Sequence, residues 1–369
     1  MSGGFCLFQK SKNNQRVNIL KIASVYTGTV LGAGFASGKE LISFFINYGV
    51  LGFFGMLVSG FFFSMIGYGV LKIVYDNKIS SYTEFSAFIL GKKLGAISEW
   101  ISCAFLLVLF SAMISAGGEM SKSVFGISKL NSEIILSVLC LITFLFELNG
   151  FIEVNTLLAP ILVIGGILTG IYIYVNPETV ASFSLLEIST NKITPHNFIS
   201  SAIIYVSYNI ITAVTVLVSL NKLTTTKNVA KYGGVLGGIC VCLLGISMSF
   251  PLFSNFNKIH SDQMPVLTLV LDYPILKYVY VIILLSAIFT TALANGFSLI
   301  ENFNSKNSSK LHRLFTKIFL TLWGIFMAQI SFSDFIEKIY PMFGLFGIFE
   351  VVLIIKKAFI KPVGWRKSR

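Results

Sequence analysis

Charge is what this sequence has least of. Only 12% of its 369 residues are Asp, Glu, Lys or Arg, against about 25% in a soluble globular chain. Histidine is scarce as well. The three present, His196, His260 and His312, fall in loops or at the ends of apolar stretches, with no metal-ligand set beside them. The five cysteines, Cys6, Cys103, Cys140, Cys240 and Cys242, follow neither a zinc spacing nor a disulfide framework. Four of them lie in apolar stretches and read as small buried residues. No HExxH, GxSxG or paired-aspartate pattern occurs, so the chain is not read as an enzyme and no cofactor is implied. Disorder and a secreted disulfide scaffold are excluded by the same composition.

What replaces charge is apolar surface. Hydrophobic residues make up 55% of the chain, and Phe (35) and Gly (31) are abundant. The mean hydropathy is +0.81. That pairing suits helices packed in lipid, where glycine is commoner than in soluble helices. Ten apolar segments are long enough to cross about 30 Å of hydrocarbon. They are 18–46, 49–71, 97–120, 132–148, 154–175, 198–220, 232–253, 274–300, 314–330 and 335–355. The net charge of +12 is explained by its placement. Twenty-one of the 28 basic residues fall on the side of the N-terminus and seven on the other. By the positive-inside rule both termini are cytoplasmic, and nucleic acid is not needed to explain the basic balance. The bilayer itself is the partner that the composition implies. A cleaved signal peptide does not fit the start of the chain, because the apolar run continues well past about 15 residues.

The chain therefore reads as an all-α membrane protein of ten transmembrane helices. Its expected parts are an N-terminal arm (1–17), a first five-helix repeat (18–175), a connector (176–197), a second repeat (198–355) and a basic tail (356–369). An odd number of spans per half makes the second half start from the opposite side, the geometry of an inverted repeat. Loops 72–96, 176–197 and 254–273 each have room for a short interfacial helix.

Span one is the most informative segment. Gly28, Gly32, Gly34 and Gly38 crowd its centre, and each glycine costs about 1 kcal/mol relative to alanine in a helix interior. Two readings are open. A helix broken here, into halves 18–31 and 35–46, frees main-chain groups that lipid cannot satisfy, so it needs a cavity, an ion or a ligand. Alternatively, Gly28-x-x-x-Gly32 and Gly34-x-x-x-Gly38 are close-packing contacts between continuous helices. A dinucleotide loop is excluded, because it needs a βαβ unit.

The string GAGFASGKE after a short basic arm, in a ten-span chain of this length, resembles the YkvI-like family of bacterial membrane proteins. That family is placed in the amino acid–polyamine–organocation superfamily. The resemblance implies the leucine-transporter fold, with helices one and six broken, and location in the bacterial cytoplasmic membrane. It also implies a sodium site. The Gly28 and Leu31 carbonyls before the Gly32-Ala33-Gly34 core match one side of it. The Ala287 carbonyl with the Thr290 and Thr291 hydroxyls, in AIFTT, match the other. Five neutral oxygens suit a monovalent hard cation and are poor zinc ligands. Threonines in membrane helices also bond back to their own helix, which leaves a second reading for this pair. Span five holds no lysine to replace the ion.

The same resemblance places a solute carboxylate on main-chain N–H groups at Ala33 and Gly34, with Phe35 next along. Tyr205, Tyr208 and Asn209 of span six complete the site, with Ser111 and Ser115 of span three. Span six carries no glycine at its presumed break, and span three has no tyrosine to steady the carboxylate. Charged residues at depth are few. Lys39 and Glu40 follow the glycines as an expected pair. Glu119, Glu147 and Glu153 sit near interfaces, and Glu350 lies inside span ten. The function implied is a secondary transporter, coupled to Na⁺ or H⁺, for an amino acid-like or amine small solute. The alternative is a non-transporting nutrient receptor of the same superfamily. Oligomeric state is not legible in the sequence.

Overall fold

Apolar runs that cannot leave a main-chain N–H or C=O unpaired in lipid must fold as helix. In this computed structural model the described residues are 2–145, 149–175, 197–303 and 309–360, with side chains described outside 2–13, 149–159 and 301. Helix dominates them, and no strand occurs among the described residues. Span one becomes α1 (Ser2–Val30), α2 (Ala33–Ala36) and α3 (Lys39–Phe44), followed by a 3₁₀ turn at Ile46–Tyr48. Then come α4 (Leu51–Asn77), a short α5 (Tyr82–Leu90), α6 (Lys92–Phe125), α7 (Lys129–Leu145) and α8 (Asn149–Val175). The second half contains α9 (Phe198–Ser219), α10 (Lys227–Ser254), α11 (Phe256–Ile259), α12 (Pro265–Val270), α13 (Pro274–Phe303) and α14 (Lys310–Met327). A single turn, α15 (Phe332–Asp334), leads through a π-helical turn (Phe335–Ile339) into α16 (Tyr340–Ile355).

The later apolar segments from 49–71 to 314–330 each fall largely on one long helix among the described residues, and 335–355 is divided between the π turn and α16. Among the described residues, five helices are by themselves long and apolar enough to cross a membrane: Leu51–Asn77, Lys92–Phe125, Phe198–Lys222, Lys227–Ser254 and Pro274–Ile300. The loop helices expected at 72–96 and 254–273 are α5, α11 and α12. The connector 176–197, apart from Asn197, and the tail beyond 360 lie outside the described residues, as does Glu147. The arm expected at 1–17 is helical in its described residues and continuous with span one, since α1 begins at Ser2. One expectation needs correction. Helix six is not broken: α9 runs continuously from Phe198 to Ser219. It lacks any glycine, and its mid-span polar groups bond to their own helix, Ser207 to Ile203 O at 2.7 Å and Asn209 to Tyr205 O at 2.9 Å.

The halves interleave. α1 packs on α8, α9 and α10; α4 packs on α9 and α10; α16 lies along α9; and α13 runs against α6 and α8. α9 is the most enclosed of the long helices. The α4–α10 contact is the tightest, because small residues let the two backbones approach. A Cβ at Gly234 would overlap the Gly67–Tyr68 backbone, and one at Gly238 would overlap Ser64. We expect Gly238→Leu to force these helices apart and to cost about 1–3 kcal/mol. Thermal unfolding in detergent checks this, and an unchanged midpoint would contradict the contact.

Candidate functional site

The glycine cluster does interrupt span one. α1 ends at Val30, and Gly32 is extended (φ −75°, ψ −176°) before α2 begins. The expected single second half is instead α2, α3 and a 3₁₀ turn, because a second bend falls at Gly38. Its φ of +83° is a left-handed conformation that costs an L side chain roughly 1–2 kcal/mol. Main chain freed by two bends must find partners away from water. At the first, the Gly32 N–H turns to Val30 O at 3.0 Å. At the second, the Ser37 hydroxyl donates to Gly34 O at 3.0 Å, and the Val266 N–H of α12 donates to Ser37 O at 2.9 Å. The Tyr280 hydroxyl of α13 donates to Ala36 O.

Opposite the first bend stands α13. A Cβ at Gly32 would lie 3.4 Å from Thr291 Cγ2 and 3.8 Å from its Oγ1. The Thr291 hydroxyl is buried and has no hydrogen-bond partner among the described residues. Thr290 differs: its hydroxyl donates to Ser286 O at 2.7 Å and lies 3.3 Å from Ala287 O. Of the residues expected to hold sodium, Thr291 stands opposite the break, while the Thr290 hydroxyl is held by its own helix, chiefly by Ser286 O and more distantly by Ala287 O. Gly28 and Leu31 lie on either side of the α1 terminus.

Opposite the second bend the surroundings are aromatic. Glu40 on α3 turns back over Gly34, so close that a Cβ there would overlap its carboxylate. It does not pair with Lys39. Successive helix residues point in different directions, and only those three or four apart meet. Lys39 instead pairs with Glu337 of the π turn at 2.8 Å, leaving Glu40 buried beside it with no salt-bridge partner among the described residues. The Tyr205 and Tyr208 hydroxyls lie close enough to couple to the Glu40 carboxylate, and Tyr340 of α16 is also within electrostatic reach. Yet Glu40 Oε2 and all three tyrosine hydroxyls are buried without a completed hydrogen bond among the described residues. The rings pack into one cluster. Phe44 lies 5.5 Å from both Tyr205 and Tyr208, and Tyr208 lies 5.2 Å from Tyr340.

This arrangement corrects the carboxylate site expected at Ala33 and Gly34. α2 has only four residues, too few for a sustained helix dipole, and the space over Gly34 already holds the protein's own carboxylate. Ser111 donates to Leu107 O at 2.8 Å, Ser115 to Ile330 O at 2.9 Å, and Asn209 to Tyr205 O. Phe35 instead lines an apolar hollow on the other side of the break, with Leu31, Ala36, Leu162, Met248 and Tyr280. Tyr205 and Tyr208 are the sequence-expected residues that the fold brings to Glu40. Tyr340 and Glu337 were missed, and their only sequence signal is a polar, proline-containing entry to span ten. Of the remaining carboxylates, Glu119 pairs with Lys129 at 2.9 Å, and Glu350 is buried within electrostatic reach of Tyr82. The Glu153 side chain lies outside the described residues. No group of three His, Cys, Asp or Glu gathers as metal ligands among the described residues.

No protein-family model matches the chain. It is similar to a protein of Bacillus subtilis (strain 168) described as "Uncharacterized membrane protein YkvI", 29% identical over 342 residues, 92% of this chain and 96% of that one. The likeness to the YkvI-like proteins holds. Among solved structures the chain is similar to a Na⁺-coupled sialic acid symporter in a substrate-bound outward-open state, with a TM-score of 0.64 and 16% identity. That match covers 94% of this chain and 80% of the symporter. It is also similar to a mutant form of the Eremococcus coleocola manganese transporter, with a TM-score of 0.62, 12% identity, and 94% and 81% of the two chains covered. At these identities the likeness carries the fold, which is that of the leucine-transporter class.

The Lys39–Glu337 pair gives a direct check on the geometry. Lys39 is 3% exposed and Glu337 28%, so Glu337→Gln strands a buried ammonium. We expect a loss of about 2 kcal/mol, with most of it recovered in the Lys39→Met/Glu337→Leu double variant. Thermal unfolding of the three proteins is the measurement. Independent, additive effects would show that the two charges do not meet.

Proposed function

We propose that this chain is a secondary active transporter that moves a small amino acid-like or amine solute across the cytoplasmic membrane by alternating access. Na⁺ or H⁺ is its coupling ion. The two five-helix halves act as inverted repeats around the break, and both termini lie in the cytoplasm. The observation that carries this reading is the interruption of α1 opposite Thr291. It is main chain bent at membrane depth beside a buried hydroxyl that no described residue satisfies. Irregular backbone at that depth is tolerated where it is enclosed by protein or lines a path, and an unpaired buried hydroxyl costs about 1–3 kcal/mol. A small hard cation offsets that cost. Na⁺ would take the Thr291 hydroxyl and the Leu31 and Gly28 carbonyls, with Thr290 and Ala287 joining when the Thr290 hydroxyl leaves Ser286 O and Ala287 O. The fold supports the same reading, and the Na⁺-coupled symporter among its structural neighbours favours sodium.

The test is uptake into proteoliposomes of the purified protein, with amino acids and amines offered under an imposed sodium or proton gradient. We expect sodium-driven uptake that falls at least about tenfold in Thr291→Ala and is restored in Thr291→Ser. Sodium dependence intact in Thr291→Ala removes the site. Gradient-driven uptake of no solute at all removes the transporter reading.

A further inference from the structure

We infer that Glu40 is a built-in counter-anion at the break, and that the solute is held there by a cationic amine and not by a carboxylate. This inference rests on the transporter reading and names the class of solute within it.

Glu40 is 4% exposed, and its Oε2 has no hydrogen-bond partner among the described residues. The nearest candidate cation in the sequence, Lys39, is held by Glu337. A buried carboxylate with no counter-ion is costly, and proteins retain such groups where a ligand or a function supplies the missing partner. The Tyr205, Tyr208 and Tyr340 hydroxyls are buried in the same cluster without a completed hydrogen bond among the described residues, those of Tyr205 and Tyr208 within reach of the Glu40 carboxylate. An ammonium carries three N–H donors and no acceptor, so one carboxylate and several phenolic oxygens match it. The ring faces of Phe44, Tyr205, Tyr208 and Tyr340 add the attraction that aromatic quadrupoles exert on a cation. A solute carboxylate meets the reverse. Over Gly34 it would stand against the Glu40 carboxylate, and like charges so close in a low dielectric repel strongly. The charge of the site is therefore opposite to that of a helix terminus awaiting an acid.

The experiment is thermal unfolding and calorimetric titration of the full-length protein in detergent, with and without sodium. The probes are propylamine, phenethylamine and 1,5-diaminopentane as amines, leucine as a zwitterion, and butyrate as an acid. We expect at least one amine to stabilise the protein and butyrate to have no effect. In Glu40→Gln, a near-isosteric change, amine affinity should fall at least about tenfold while the ligand-free midpoint stays the same or rises, because an unpaired buried charge is removed. A merely structural glutamate would lower that midpoint. If Glu40→Gln does not fold, Tyr205→Phe/Tyr208→Phe keeps the rings and should still weaken amine binding several-fold. Stabilisation by butyrate, stabilisation by none of the amines, or unchanged amine affinity in the variant that folds overturns the inference. Sodium-dependent stabilisation by leucine alone also overturns it while leaving the transporter reading intact.

Discussion

The structure depends on how the main chain of span one is satisfied where it stops being helical. Two bends in one membrane-depth segment release N–H and C=O groups into an interior where each unpaired group costs more than a typical hydrogen bond contributes. The fold answers from the second half of the chain. α12 sends the Val266 N–H to Ser37, and α13 sends the Tyr280 hydroxyl to Ala36. Local geometry supplies the rest through Ser37 on Gly34 and Gly32 on Val30. The bends are thus satisfied in part by α12 and α13. Those bonds tie the two halves of the molecule together at its centre.

Once the bends are set, electrostatics follows. The turn at Gly38 starts a new helix with Lys39 and Glu40 as its first residues, and the two side chains diverge. Lys39 meets Glu337, which the π turn at the start of span ten presents. Glu40 is carried back over Gly34 into the tyrosine cluster. One charge of an adjacent pair is neutralised and the other is left buried without a counter-ion. π turns are uncommon and often mark working parts of helices. Here the turn presents Glu337 to Lys39, while Glu40, pointing elsewhere from the same helix, is not reached by that pair. The same separation divides the surroundings of the break. An apolar hollow with Phe35 lies on one side, a carboxylate among phenols on another, and Thr291, its hydroxyl unpartnered among the described residues, stands opposite Gly32 at the first bend.

Much of the fold was legible because lipid imposes simple rules. Apolar runs of span length became helices, and the glycines of span one became bends. The expected break in helix six had no such signal. Phe198–Ser219 contains no glycine, and Ser207 and Asn209 find acceptors one turn back on their own helix. Threonine proved ambiguous for a physical reason. Thr290 and Thr291 are adjacent and chemically identical, but only one points along its own helix toward Ala287 while the other faces Gly32. No pattern of residues distinguishes them without the position of the neighbouring chain.

By itself the sequence determined that this is a helical membrane protein and that the glycines make its first span unusual, since hydropathy and glycine content act locally. Whether they bend it or pack it was left to the tertiary structure. The tertiary structure alone decided what faces that bend. It placed Glu40 over Gly34, Tyr340 beside Tyr208, and Glu337 on Lys39, the last two contacts joining distant parts of the chain. Partners of that kind are chosen by how helices pack and rotate against one another, which no local property of the chain encodes.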